Sequence, residues 1–319
     1  MKTPVVHTND FLKDTDFSEK EILSLFKFSS ELKKETKNGK KNHILEGKTL
    51  GMIFEKSSTR TRVSFEVGMY QLGGHALFLS KNDIQLGRGE TVADTAKVLS
   101  RYVDGIMIRT FEQEKVIELA HHADIPIING LTDAYHPCQS YTDYFTIYER
   151  ETGLNGLKLA FIGDGNNMVH SLLLTGALLG VDVSVASPKG YMPDSAVVEE
   201  ARTLAIKSGS KIEITDNIED AARKADYLYT DVWTSMGQEK EMLKRKKAFA
   251  KYKITVNLLK KCCPDAKVMH CLPAHRGEEV DDIILDTPAS IIFDEAENRL
   301  HLQKGVMCAL MSKKVRRSK

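Results

Sequence analysis

No stretch of this 319-residue chain approaches the roughly 20 consecutive apolar residues that a membrane-spanning helix needs. Its first residues, "MKTPVVHTNDF", lack the apolar core of an export signal and the Arg/Ser-rich pattern of a transit peptide. Net charge is nearly absent too, because 45 Lys+Arg against 44 Asp+Glu leave +1, so no overall field favours nucleic acid or an anionic membrane. Cysteine is scarce, and an odd number, five, is unlike a disulfide framework. We therefore expect a cytoplasmic protein with small-molecule partners.

The hydrophobic pattern alternates between short apolar runs and amphipathic stretches along nearly the whole chain, which predicts parallel sheets covered by helices. The predicted strands are "KTLGMIFE", "HALFLS", "DGIMIR", "IPIING", "LKLAFIGD", "VDVSVASP", "KIEIT", "DYLYTD", "AKVMHC" and "SIIFDE". A helix is predicted from Pro137 to about Thr152, followed by the Gly-containing boundary "GLNGLK". We predict two doubly wound, Rossmann-like α/β domains, residues 1–152 and 153–295, with the active site in the cleft between them. A last helix, about 296–315, is expected to pack back on the first domain.

A group of hydrogen-bond donors follows the first predicted strand, in "FEKSSTRTRVSFE", residues 54–66. Ser57 or Ser58 is a natural N-cap, and a helix N-terminus offers free N–H groups and partial positive charge to an anion. Hydroxyl donors come from Ser58, Thr59 and Thr61, and Arg60 adds a fork that fits two phosphate oxygens. An ordinary capped helix with solvent-facing arginines is the simpler alternative. Three hydroxyls interleaved with two arginines favour a phosphate-sized anion.

Two other chemistries are suggested by motifs but fit the residues poorly. "FIGDGNNMVHS" carries Gly163-x-Gly165 after a strand, yet Met168 replaces the third glycine of a dinucleotide fingerprint, and the next strand ends in Ser187 rather than an acid. In "HCLPAHRGEEV" the residues His270, Cys271 and His275 match no standard zinc spacing, and no acidic or cysteine pair completes the set. The sequence therefore predicts no metal and no nicotinamide cofactor.

Five motifs, taken together and in order, resemble the aspartate/ornithine carbamoyltransferase family: "STRTR", "HPCQ", "GDGNN", "DVWTSMG" and "HCLP". With Arg299 in "ENRLHLQKG" at the start of the last predicted helix, the resemblance covers residues 58–299. It implies transfer of a carbamoyl group from carbamoyl phosphate, without a cofactor. The implied carbamoyl phosphate residues are Ser58, Thr59, Arg60, Thr61, Gln85, Arg109, His136, Gln139, Leu272 and Arg299. Gln85 is implied to act at its own or a neighbouring subunit's site.

The second half of the chain carries the motifs implied to select the amine. By resemblance, L-ornithine is bound by Asn167, Asp231, Ser235, Met236 and Cys271, and the δ-amine attacks to give citrulline and phosphate. Arg109, His136, Cys271 and Asp231 are the implied catalytic residues. Donors such as Arg109 and His136 suit the negative charge that develops on the carbamoyl oxygen.

The resemblance further implies a homotrimer, or an assembly of trimers, with active sites shared between subunits, and a place in arginine metabolism. Two alternatives remain. One is a carbamoyltransferase acting on another amine such as putrescine, against which the "SMG" segment argues. The other is a non-catalytic, anion-binding regulatory relative, which is expected to lack Arg60, His136 or Cys271. All three residues are present.

Overall fold

A computed structural model describes residues 2–86, 89–235, 237 and 239–312 of the chain. The chain divides into two compact units, Met1–Phe145 with Glu297–Lys319, and Thr146–Ala296. Each unit contains one wholly parallel sheet flanked by helices. The predicted fold class, an α/β chain with two parallel-sheet domains, is confirmed. Among the described residues, no helix is both long and apolar enough to cross a membrane.

The first unit is built on a four-stranded parallel sheet in the order β2-β1-β3-β4. Buried aliphatic residues such as Ile53, Ile106 and Ile127 form its core. The strands are β1 (Thr49–Phe54), β2 (His75–Ser80), β3 (Gly105–Arg109) and β4 (Ile127–Leu131). The helices are α1 (Glu19–Lys37), α2 (Thr59–Gln71), α3 (Val92–Leu99), α4 (Gln113–His122) and α5 (Pro137–Tyr148), to which the unit adds most of the last helix, α12 (Ile292–Met311).

The second unit has a five-stranded parallel sheet in the order β7-β6-β5-β8-β9. Its core includes Ile162, Leu228 and Val268. The strands are β5 (Lys158–Ile162), β6 (Asp182–Ala186), β7 (Ile212–Thr215), β8 (Tyr227–Thr230) and β9 (Lys267–His270). The helices are α6 (Asn167–Leu179), α7 (Ser195–Ser208), α8 (Ile218–Ala222), α9 (Met242–Phe249), α10 (Val256–Cys262) and α11 (Asp282–Leu285).

Two predicted elements differ from the structure. The predicted strand "SIIFDE" is wrong: Ser290 makes a single bridge to Val268, and α12 begins at Ile292. A short apolar run does not distinguish strand from helix, and the acidic residues that follow, Asp294 and Glu295, are favoured in a first helical turn. The helix predicted from Pro137 to about Thr152 ends earlier, at Tyr148.

In both sheets, the order in which successive strands are added reverses at an internal strand pair. In the first unit the chain moves outward from β1 to β2 and then returns to β3 and β4 on the other side of β1. In the second it moves from β5 to β6 and β7 and then returns to β8 and β9. Open α/β sheets bind ligands at the carboxyl ends of the strands where the order reverses. These ends lead to Ser58 and Arg109 in the first unit and to Asn167 and Asp231 in the second.

A buried lysine holds α12 in the first unit. The side chain of Lys304 is 1% exposed, and its ammonium donates to Thr36 Oγ1 at 2.7 Å and Gln71 Oε1 at 2.9 Å. Both partners are neutral. Burial lowers the pKa of Lys304 to about 8, although the charges of Cys308 and Glu35 oppose that shift. Below about pH 8 the fold therefore contains a buried cation without an ion pair among the described residues.

Replacing Lys304 with methionine is expected to stabilise the protein more at neutral than at alkaline pH. Between about pH 8 and the unfolded lysine value of about 10.4, the unfolded chain binds the proton that the folded chain has lost, so wild-type stability rises with pH there. The variant lacks this dependence. Denaturant unfolding measures the effect. From about pH 7 to about pH 9.5, the free energy of unfolding of the wild type should rise by about 2 kcal/mol relative to that of the variant. A constant difference between the two proteins would contradict the prediction.

Candidate active site

The predicted anion site lies at the first turn of α2. Ser58 is the N-cap residue, with extended backbone, and its Oγ accepts a hydrogen bond from the Thr61 N–H at 3.2 Å. The predicted cap is therefore confirmed for Ser58 rather than Ser57. Thr59 begins the helix and is exposed, whereas the side chain of Thr61 is 1% exposed. This turn offers backbone N–H groups and hydroxyls at the carboxyl end of β1.

Arg299 joins this turn to a second helix. Its Nη2 donates to Thr61 Oγ1 at 3.2 Å, and its Nη1 donates to Gln139 Oε1. All three side chains are buried. Arg299 was predicted to stand at the start of the last helix, but α12 begins seven residues earlier, so Arg299 lies inside the helix and caps nothing. Its position there directs a guanidinium at the first turn of α2.

His136 lies buried among arginines, directly before α5. Burial lowers the pKa of its imidazole well below the usual value. Three guanidinium groups lower the pKa further, those of Arg299, Arg109 and Arg60. Arg109 is itself buried and ends β3, directly opposite the last residue of β1. The result is a neutral imidazole inside a strongly positive cluster, an arrangement suited to an anion with a polarised carbonyl group.

Gln85 and Leu272, the other two residues implied to bind carbamoyl phosphate, are not part of this arginine cluster. Gln85 is exposed in the segment between β2 and α3, next to a stretch, 87–88, outside the described residues. Leu272 belongs to the second unit and follows β9. The predicted contacts of both residues with carbamoyl phosphate stay predictions.

The amine side of the predicted site centres on Asp231, directly after β8. Its Oδ1 accepts from the Cys271 thiol at 3.1 Å and from the Val232 N–H at 2.8 Å. Its Oδ2 accepts from Asn166 Nδ2 at 3.3 Å. The structure thus brings together Asp231 and Cys271, two predicted residues that are 40 positions apart. The predicted Asn167 is the first residue of α6, next to Asn166.

Sequence reasoning missed Asn166. It caps α6 by accepting from the Met168 and Val169 N–H groups, and it also contacts Asp231. Of the two asparagines of "GDGNN", Asn166 contacts Asp231, and Asn167 follows it as the first residue of α6. An Asn before a helix is a common cap signal, which gave no reason to expect a second contact.

Sequence reasoning also missed a buried histidine–carboxylate pair, whose histidine directly precedes Cys271. His270 Nε2 lies 3.1 Å from Glu279 Oε1, and both side chains are 0% exposed. The Leu272 N–H donates to His270 Nδ1 at 2.8 Å, so Nε2 carries the ring proton and donates to Glu279. That bond holds Leu272 at φ 60°, an uncommon conformation for a branched residue. The pair fixes the backbone on both sides of Cys271.

The remaining predicted contacts are in the segment after β8. Ser235 is partly buried, and Met236 lies outside the described residues. Gly237 has φ 92°, a left-handed conformation that glycine adopts without strain. Trp233 is buried and stacks on Phe249 with ring centroids 6.2 Å apart.

One expectation about metal ligands needs correction. The sequence argument held that no acidic or cysteine pair completes the set of His270, Cys271 and His275, but it overlooked that one acidic residue, Asp231, lies close: ligand atoms of Asp231, His270 and Cys271 are within 4.8 Å of one another. Both ring nitrogens of His270 are engaged in hydrogen bonds, and the thiol bonds to Asp231. These hydrogen bonds account for the proximity of the three groups.

Together these observations define a class of two-domain α/β enzymes in which one sheet presents an arginine cluster and the other a carboxylate–thiol pair. Family models match both halves: the aspartate/ornithine carbamoyltransferase carbamoyl-P binding domain over residues 9–149 and the Asp/Orn binding domain over residues 155–310. The chain belongs to the aspartate/ornithine carbamoyltransferase family.

The chain is similar to individual relatives over nearly its full length. The chain is 57% identical over 302 residues to an ornithine carbamoyltransferase of Anoxybacillus flavithermus, covering 95% of this chain and 96% of the relative. It is 56% identical over 308 residues to that of Bacillus subtilis, covering 97% and 95%. The structure of ornithine carbamoyltransferase from Pyrococcus furiosus is similar with a TM-score of 0.93 and 49% identity, covering 98% of this chain and 99% of that one.

Proposed function

We propose that this chain transfers the carbamoyl group of carbamoyl phosphate to the δ-amine of L-ornithine, giving L-citrulline and phosphate, as a step of arginine metabolism. The observation that supports the proposal is that both residue sets follow the carboxyl ends of strands at or next to the point where the sheet order reverses. The arginine cluster follows β1 and β3, and the pair Asp231–Cys271 follows β8 and β9. The family membership and the many relatives of that name support it.

The phosphate group is assigned to the first turn of α2. Its backbone N–H groups, with the hydroxyls of Ser58, Thr59 and Thr61, donate to the phosphate oxygens, and Arg60 adds a bidentate, charge-assisted contact. These donors also stabilise the phosphate as a leaving group, because its charge rises as the bond to the carbamoyl carbon breaks.

The carbamoyl group is assigned to Arg109, His136 and Gln139. Because the His136 imidazole is neutral and Arg109 is charged, both can donate to the carbamoyl oxygen as negative charge develops there. Gln139 Oε1 accepts from Arg299, and an amide oxygen of this kind can accept from more than one donor, which suits it to the carbamoyl NH₂. Leu272, through its carbonyl, and Gln85 complete the proposed set.

Ornithine is assigned to the second unit, with Asp231 and Asn167 at its α-ammonium and Ser235 and Met236 at its α-carboxylate. The attacking δ-amine must be neutral, although an amine of this kind has a solution pKa of about 10.4. Cys271 bonds to Asp231 and stands between that carboxylate and the His270–Glu279 pair. We assign Cys271 to the part of the site where the δ-amine of ornithine loses its proton.

The domain and assembly proposals follow the same assignment. Residues 1–152 with the last helix form the carbamoyl-phosphate-binding domain, and 153–295 the ornithine-binding domain. We propose a homotrimer, or an assembly of trimers, that forms through the β2 edge of the first sheet, where apolar Val63, Tyr70 and Leu77 are exposed. Gln85 follows this edge and would reach a neighbouring subunit's site. The five free cysteines suit the cytoplasm.

Ureido-product formation from carbamoyl phosphate tests the function directly. Ornithine, putrescine, aspartate and acetylornithine are compared as acceptors under identical conditions. The assignment of Asp231 and Ser235 to α-substituents predicts that ornithine has the highest kcat/KM, by about a hundredfold or more over putrescine, which lacks them. A preference for putrescine would overturn the substrate assignment, and no product with any amine would favour the non-catalytic relative.

A further inference from the structure

A short turn after β9, residues 275–280, brings together three side chains that are able to bind a metal ion. They are those of His275, Glu278 and Glu279, and one ligand atom from each lies within 4.8 Å of the other two. All three residues belong to the second unit, and none of them is among the proposed substrate contacts. The group is therefore distinct from the proposed carbamoyl transfer site.

The backbone of this turn is closed by its own hydrogen bonds. The Gly277 N–H donates to the Val280 carbonyl oxygen at 3.0 Å, and the Glu278 N–H donates to the His275 carbonyl oxygen at 2.9 Å. Gly277 has φ 84°, a left-handed conformation that glycine adopts without strain. The side chains of His275 and Glu278 therefore start from a fixed backbone.

Glu279 supplies a buried carboxylate to the group. Its side chain is 0% exposed. Its Oε1 accepts from the His275 N–H at 2.5 Å and lies 3.1 Å from His270 Nε2. Its Oε2 is also buried, and in the described part of the chain this oxygen has no hydrogen-bond partner. A buried carboxylate oxygen without a partner carries a desolvation cost, which a cation bound to that oxygen would offset.

His275 and Glu278 give the group access to solvent. His275 is exposed, and the Glu278 side chain is 34% exposed. Glu278 Oε1 accepts from Lys246 Nζ at 2.6 Å, and a carboxylate has a second oxygen that is able to bind a metal. The adjacent Arg276 is directed elsewhere, because its guanidinium pairs with Asp286 at 2.7 Å. Two of the three ligands are thus able to adjust while the buried one stays fixed.

The chemistry of the donor atoms determines the kind of ion. Two carboxylates and a neutral imidazole balance the charge of a divalent cation. Imidazole favours zinc and similar transition metals, whereas magnesium and calcium prefer oxygen ligands alone. Ligand atoms of a tetrahedral zinc ion stand roughly 3.4 Å apart, given bonds of about 2.1 Å. Small rotations of the His275 and Glu278 side chains would bring the three ligand atoms to that spacing.

We propose that His275, Glu278 and Glu279 form a binding site for one divalent transition-metal ion of the zinc type, with water in the remaining position. The inference goes beyond the proposed function and does not rest on it. The other oxygen of Glu279 holds His270, the residue before Cys271, so a bound ion would also fix the turn that follows this segment.

Calorimetric titration of the full chain with Zn²⁺ tests the site. The wild type is expected to bind one ion per chain, and His275→Gln and Glu278→Gln should each weaken binding at least about tenfold. The loss of a direct ligand should cost at least as much as the loss of a group that orients one. Because both side chains reach the surface, both variants should fold.

Two further variants make the titration specific. His43→Gln is the matched control, since His43 is also an exposed histidine three residues before a glutamate, Glu46. In the described part of the chain that pair belongs to no group of three ligands, so zinc affinity should stay within about twofold of the wild type. Lys246→Gln should strengthen zinc binding about twofold to fivefold, because it releases Glu278 Oε1 from a surface ion pair.

Absorption spectra with Co²⁺ identify the ligand atoms. Co²⁺ bound by imidazole and carboxylates shows only weak visible bands, whereas a soft thiolate ligand adds intense sulfur-to-metal charge-transfer absorption. The proposed site predicts the weak spectrum in the wild type, and the same spectrum in Cys271→Ser.

Three results would overturn the inference. One is the absence of saturable Zn²⁺ binding to the wild type. Another is charge-transfer absorption that disappears in Cys271→Ser, with zinc affinity unchanged in His275→Gln, which would place the metal at Cys271. The third is an equal loss of affinity in His275→Gln and His43→Gln, which would mean adventitious surface binding. None of these measurements requires catalysis, so a failure of the proposed function would appear separately, in the ureido-product assay.

Discussion

Carbamoyl phosphate binding is expected to fall at least about a hundredfold when Arg60 is replaced by alanine, because a bidentate contact between a guanidinium and a phosphate is lost. The first turn of α2 still offers its N–H groups and the Ser58 cap, so the helix should form normally. His136 would remain neutral, since its burial and the charges of Arg299 and Arg109 persist. Titration calorimetry with carbamoyl phosphate alone measures the effect without the second substrate.

Arg62 provides the matched control for that experiment. It is the second arginine of the same motif, but its guanidinium lies 3.7 Å from the centroid of the Phe78 ring, and its Nε donates to Glu66 at 3.2 Å. Arg62→Ala should therefore change the dissociation constant by less than about threefold, as expected for an exposed pair. Near-normal affinity in Arg60→Ala would refute the assignment of the phosphate to this turn.

The second large effect is expected at Asp231. Asp231→Asn keeps the shape of the side chain and removes the charge that is assigned to the ornithine α-ammonium, and it leaves the Cys271 thiol with a weaker acceptor. We expect kcat/KM for ornithine to fall about a thousandfold, the cost of breaking a desolvated, charge-assisted contact. Initial rates of citrulline formation at saturating carbamoyl phosphate give this ratio.

Asp226 is a suitable control because it stands at the other end of the same strand, β8. It is exposed, and its Oδ2 accepts from the Lys158 N–H at 2.7 Å. Asp226→Asn should leave kcat/KM for ornithine within about threefold of the wild type. If both substitutions lower kcat/KM equally, the loss follows from damage to the strand and not from the lost charge at the site. A proportional loss of carbamoyl phosphate affinity in Asp231→Asn would also contradict the assignment.

The sequence predicted most of the fold because the signals for its elements are local. Nine of the ten predicted strands are present, and Ser58 and Pro137 begin their helices as their cap and first-turn preferences indicate. The error at 290–295 arose because the short apolar run Ile291–Phe293 is compatible with either a strand or a helix. Since the start of α12 was misplaced, the position of Arg299 within it was misplaced as well.

Asn166, which sequence reasoning missed, has a partner that is distant in the chain. Its side chain bonds to Asp231 across 65 positions. No spacing rule relates such pairs, since only the folded sheet brings the ends of β5 and β8 together. A single sequence could indicate Asp231 through its motif, but it gave no signal that the helix cap Asn166 also contacts it.

The neutral His136 has a consequence for how the reaction responds to acid. Histidine is ordinarily the side chain whose charge changes between about pH 5 and 8, and many proteins use it to sense acidity. Burial and three guanidinium groups lower the pKa of His136 well below its usual value. When a cell acidifies mildly, the activation of the carbamoyl carbonyl should therefore persist, and any slowing must come from the supply of unprotonated amine.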